Sequence, residues 1–68
     1  MLENKYKKQF VDRLDVNQNA INILKENNIN TLWDLSNYKT SQLVNIGIEQ
    51  NIVDEIETRM ELLGIRLK

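Results

Sequence analysis

A chain of 68 residues with 41% hydrophobic and 28% charged residues is one small domain, with no room for a second core. It has no Cys and no His, which removes disulfide frameworks, thiolate or imidazole metal sites, and Cys or His nucleophile chemistry. The net charge of -1 gives no overall pull toward nucleic acid, and no apolar run approaches the length of a membrane helix. The lysines near the start are not followed by the apolar stretch of a signal peptide, and a Cys-free chain suits a cytoplasmic setting.

With no Pro and only two Gly, turns must be marked by Asn, Asp, Ser and Thr, which can bond their own backbone. Apolar spacings of three and four dominate, and the sequence predicts an all-α fold: a compact bundle of four to five short helices. The first piece, "LENKYKKQFVDRL", places Leu2, Tyr6, Phe10 and Leu14 four apart on one helical face. It has no strong N-cap, so residues 1–13 are expected as a frayed helical segment ahead of a domain over 14–68. Lys5, Lys7 and Lys8 make this segment the basic part of the chain.

Next, "LDVNQNAINILKENNI" offers Asn17 as a cap before Ala20, Ile21 and Leu24, with Asn27 and Asn28 as a left-handed stop. "NTLWDLSNY" carries Thr31 and Asp34 at capping-box spacing, and "KTSQLVNI" carries Thr40 as the expected cap of a short helix. The last helix shows Ile52, Ile56, Met60 and Leu63 as a stripe reinforced by Val53, ends near Gly64, and leaves Ile65 and Leu67 as an apolar tail. The expected core is Ile21, Leu24, Ile29, Leu32, Leu35, Leu43, Ile48, Val53, Ile56, Met60 and Leu63.

The runs "LDVNQNAINILKENNINTLWDL" and "GIEQNIVDEIETRMELLGIRL" together resemble the C-terminal domain of the bacterial RNA polymerase α subunit. That family reads L-x-L-x-x-R-x-x-N-x-L-K and I-x-T-V-x-D-L, then N-L-G-K-K-S-L-x-E-I and a G-L-x-L ending. The resemblance covers about Leu14 to Leu67, with one residue missing near Asn45 and Ile46. It implies a set of short helices with a helix-hairpin-helix-like element, no catalytic activity, binding to the DNA minor groove, and docking onto transcription activators.

Carried over by position, the family's DNA-facing residues fall on Asn19, Asn22, Ile23, Gly47, Glu49, Asn51, Ile52 and Glu55. Only Asn22 and Glu55 are retained. Asn19 stands where the family has its minor-groove Arg, and Ile23 replaces a small residue. Gly47 occupies an Asn position, Glu49 the close-approach Gly, Asn51 a basic residue, and Ile52 the phosphate-binding Ser. Cationic contacts and counterion release dominate duplex affinity, so these changes predict a retained shape with a weakened or lost DNA grip.

The favoured partner is therefore a protein of the transcription machinery, either an activator or the polymerase. Weak backbone-led DNA binding through Lys5, Lys7 and Lys8, and self-association, are the alternatives. Trp33 and Tyr38, with Ile23 and Ile52, are candidate partner-binding residues, since Trp and Tyr are enriched in interface hot spots. Trp33 packing onto Tyr6 or Phe10, and Ile23 and Ile52 as ordinary surface residues, are equally consistent with the sequence. Asp54, Glu55, Glu57 and Glu61 read as a solvated helix face; no metal and no cofactor are expected.

Overall fold

The computed structural model describes Tyr6 and residues 8–68. Within them the chain forms a 3-10 turn, Val11–Arg13, and four α-helices: α1 (Gln18–Glu26), α2 (Leu32–Ser36), α3 (Thr40–Asn45) and α4 (Gln50–Leu62). Among the described residues there is no strand, only one isolated antiparallel bridge between Phe10 and Thr31. The all-α expectation therefore stands, and these elements close on a single cluster of buried apolar side chains with no polar group among them.

Helices α1 and α2 start where a side-chain hydrogen bond replaces a missing intrahelical one. Asn17 Oδ1 accepts from the Asn19 N–H at 2.7 Å and caps α1. Thr31 Oγ1 accepts from the Asp34 N–H at 3.1 Å, while Asp34 Oδ2 accepts from the Thr31 N–H at 3.1 Å, a complete capping box for α2. These bonds to the ionised carboxylate, led by that from the Thr31 backbone, hold the Asp34 pKa below its ordinary value.

The cap of α3 is Lys39 rather than the expected Thr40. Lys39 is extended (φ -85°, ψ 156°), and its N–H donates to Gln42 Oε1 at 2.8 Å. Thr40 is thereby the first helical residue, and Gln42 at the third helical position reaches back to the cap's own N–H, the glutamine half of a capping box.

Three helices end alike. After α1, the Asn28 N–H donates to Lys25 O (3.0 Å) and the Ile29 N–H to Leu24 O (2.9 Å). After α3, Gly47 donates to Val44 O (3.0 Å) and Ile48 to Leu43 O (3.2 Å); after α4, Gly64 donates to Glu61 O (2.9 Å) and Ile65 to Met60 O (3.0 Å). This is the Schellman pattern, whose pivot needs a positive φ. Asn28 (62°), Gly47 (110°) and Gly64 (78°) supply it. In each case the residue after the pivot is a buried isoleucine, and its carbonyl partner is itself a buried Leu or Met. The helix stops are therefore also core contacts.

The expected core is buried except Leu63, which is the C-cap of α4 and only half-buried. Ile52 is half-buried too, so the inward face of α4 runs through Val53, Ile56 and Met60. Val11, Leu14, Ala20 and Ile65 complete the cluster. Val44, next to the buried Leu43 in α3, is exposed.

The helix expected from the spacing of Tyr6, Phe10 and Leu14 is absent from the described part of the first segment; Leu2 lies outside the described residues. Phe10 is extended (φ -75°, ψ 154°) and 63% exposed, whereas Val11 is fully buried. The reason is tertiary. The Val11 N–H donates to Asn30 O at 2.8 Å and the Leu32 N–H to Gln9 O at 2.9 Å, so this stretch pairs with the α1–α2 connection. Pairing turns the side chains about and overrides the four-residue pattern. Lys25 Nζ reinforces the contact with Asp12 at 2.7 Å.

Candidate interaction site

The start of α1 and the α3–α4 connection meet around a cavity of about 270 Å³. Asn17, Asn19, Ala20 and Ile23 form one wall; Gly47, Ile48, Glu49 and Ile52 form the other. Five of the eight positions carried over by resemblance thus converge here: Asn19, Ile23, Gly47, Glu49 and Ile52. Asn22, Asn51 and Glu55 do not line the cavity. Asn22 Oδ1 accepts from Gln18 Nε2 at 3.0 Å, and Glu55 Oε1 lies 3.6 Å from Arg59 Nε. Asn17, Ala20 and Ile48 join the wall unannounced, because their sequence signals are those of a cap and of core residues.

Local structure sets the geometry of the second wall. Ile48 is pulled into the core by its bond to Leu43, which leaves Gly47 exposed at the surface of the turn. A Cβ at Gly47 would meet nothing within 4 Å, so the space over this residue is open to an approaching group. Glu49 is the N-cap of α4 (φ -64°, ψ 147°); its carbonyl accepts from Ile52 (3.0 Å) and Val53 (2.9 Å). Its side chain is exposed and makes no capping hydrogen bond. The Gln50 and Asn51 amides precede these first helical bonds, and such N-terminal amides attract anions. Here the residue that immediately precedes them, Glu49, carries a carboxylate.

The electrostatics follow from the lining. Glu49 is the one ionisable residue on either wall; the others are apolar or neutral amides apart from Gly47. Lys25, the basic residue of α1, is committed to Asp12. Arg13 lies 4.6 Å over the Tyr6 ring and donates to Gln9 Oε1 at 2.8 Å. Lys8 is exposed, and Lys5 and Lys7 fall outside the described residues.

The aromatic candidates are elsewhere. Trp33 is 49% exposed, while Tyr38 is half-buried against the core and its carbonyl accepts from the Lys68 N–H at 3.2 Å. Neither lines the cavity. A second, more open depression of about 350 Å³ lies between Leu14 and Leu62, where Arg59 faces Asp15 at 3.8 Å. Among the described residues no group of three His, Cys, Asp or Glu is placed to hold a metal ion, and no helix is long and apolar enough to cross a membrane.

No family model matches the chain. Over 43 residues it is 44% identical to a DNA-directed RNA polymerase subunit alpha of Chaetosphaeridium globosum. The match takes in 63% of this chain and 13% of that subunit. This similarity supports a relation to RNA polymerase α and a role connected with transcription.

Proposed function

We propose that this chain is a non-catalytic binding module, related to the C-terminal domain of RNA polymerase α, that docks onto a protein of the transcription machinery and has lost most of its hold on DNA. In this reading it works in the cytoplasm beside the polymerase or its activators. The observation that carries it is the groove between α1 and α4. Five positions that face DNA in the resembling family meet there, and the walls present isoleucines, amides and one carboxylate instead of cations.

Each change acts in the same direction. An Arg in a narrow minor groove adds electrostatic gain and register; Asn19 offers neither. A phosphate approaching the α4 N-terminus meets the Glu49 carboxylate first, and Asp54, Glu57 and Glu61 extend the negative charge along the exposed side of the same helix. Partly apolar groove walls are better suited to a polypeptide.

Two titrations test the proposal. RNA polymerase, and separately its activators, should shift the amide spectrum of the labelled chain; no shift in any mixture would refute the docking role. An AT-rich duplex should give little anisotropy change even at low salt. The second reading, weak backbone-led DNA binding, draws support from the open space over Gly47 beside the α4 amides. It requires low-salt binding that falls steeply as salt rises and vanishes when Lys5, Lys7 and Lys8 are neutralised.

A further inference from the structure

We propose that the α1–α4 groove takes a paired motif from its partner: one aliphatic side chain seated between Ile23 and Ile52 over Ala20, and a Lys or Arg within a turn of it bound by Glu49. This specifies the partner chemistry of the docking role above and rests on that reading.

Size favours side chains over a small molecule. At about 270 Å³ the cavity is at the low end for ligand pockets, whose range begins at ~300 Å³. It is suited to one or two residues inserted from a larger body. The apolar seat is built from both walls. Ala20 is buried at its base, while Ile23 and Ile52 are half-buried and keep part of their surface free for contact.

Charge complementarity selects the second element. Glu49 is the one ionisable group on the lining, is exposed, and spends no oxygen on capping α4. A carboxylate at an apolar rim attracts a cation and rejects an anionic partner, which makes it a specificity device as well as a contact. The open space over Gly47 lets the partner's backbone come close enough for both side chains to reach.

The test is selection of displayed 12-residue random peptides on the full 68-residue chain and on two variants, Glu49→Lys and Glu49→Gln. Position 49 is exposed, and retained amide dispersion verifies the fold of each variant. On the unaltered chain the enriched peptides should pair Leu, Ile or Met with Lys or Arg no more than four residues away. On Glu49→Lys the basic residue should give way to Asp or Glu while the aliphatic residue persists. On Glu49→Gln the charge preference should disappear. A selected peptide should perturb the amides of Ile23, Ile48 and Ile52 and bind Glu49→Lys at least about tenfold more weakly.

Enrichment without a basic residue, or the same motif on all three proteins, overturns the inference. So does a polymerase or activator interaction that Glu49→Lys leaves unchanged, although the docking role would then stand. If instead the motif switches as described but no component of the transcription machinery binds, the groove assignment holds and the proposed class of partner falls.

Discussion

Asp34 shows how a single side chain ties this fold to pH. Its carboxylate accepts from Thr31 at 3.1 Å and from Asn30 at 3.3 Å, and its pKa in the folded chain lies below the ordinary 3.8. A depressed carboxylate contributes stability that is complete above the unfolded value and is lost as pH falls through the folded one. Thermal melts from pH 6 to pH 2 should therefore fall off more gently below about pH 4 in Asp34→Asn than in the parent. Thr31→Ala removes the reciprocal half of the box and should cost about 1 kcal/mol at neutral pH. Both residues are legible from sequence because a capping box needs only its own four positions. Lys39 is not, since Lys has no capping oxygen and the neighbouring Thr40 carries one.

Helix ends are the elements that do most to shape the molecule. The patterns Leu24 to Ile29, Leu43 to Ile48 and Met60 to Ile65 share one design: a buried residue, a left-handed pivot four positions on, and a buried isoleucine after it. Asn28 and Gly64 can be picked out as stops one at a time. The common pattern emerges only when the residues on both sides are known to be buried, because an isoleucine after a turn looks the same whether it points in or out. Ala at a pivot forces a left-handed backbone on an ordinary side chain. Asn28→Ala should lose less than about 1 kcal/mol, because Asn already carries a Cβ, and Gly64→Ala about 1–2 kcal/mol, each read as a lower denaturant midpoint with an unchanged slope. Gly47→Ala should lose as much as Gly64→Ala although its Cβ has free space, which separates backbone strain from crowding. The first segment fails at this scale for the opposite reason. Its four-residue spacing is a real helical signal, but pairing with Asn30 and Leu32 turns Phe10 outward and Val11 inward.

At the scale of the whole molecule the question is where the folding unit begins. Val11 is fully buried in the same cluster as Leu24 and Met60. Val11→Ala removes two buried methyl groups and should cost about 2 kcal/mol, or roughly 8–16 °C in melting temperature for a domain of this size. A chain starting at Leu14 should melt lower still, since it also loses the Asn30 pairing and the Asp12–Lys25 contact. Equal melting of that shortened chain and the parent would support the boundary at Leu14 that sequence suggests. The groove was half legible: resemblance supplied positions on both walls, but their convergence depends on how the α1 start meets the α3–α4 turn, a long-range relation that no local pattern encodes.

Both outer stretches of the chain fasten to the same five-residue helix. Phe10 pairs with Thr31 at the head of α2, and the Lys68 N–H reaches Tyr38 just past its tail. At 1.5 Å per residue these anchor points are about 10 Å apart, a gap that a few added residues would span. The domain could thus be spliced as a cassette into a surface loop of another protein, with short linkers at position 68 and at the approach to Phe10.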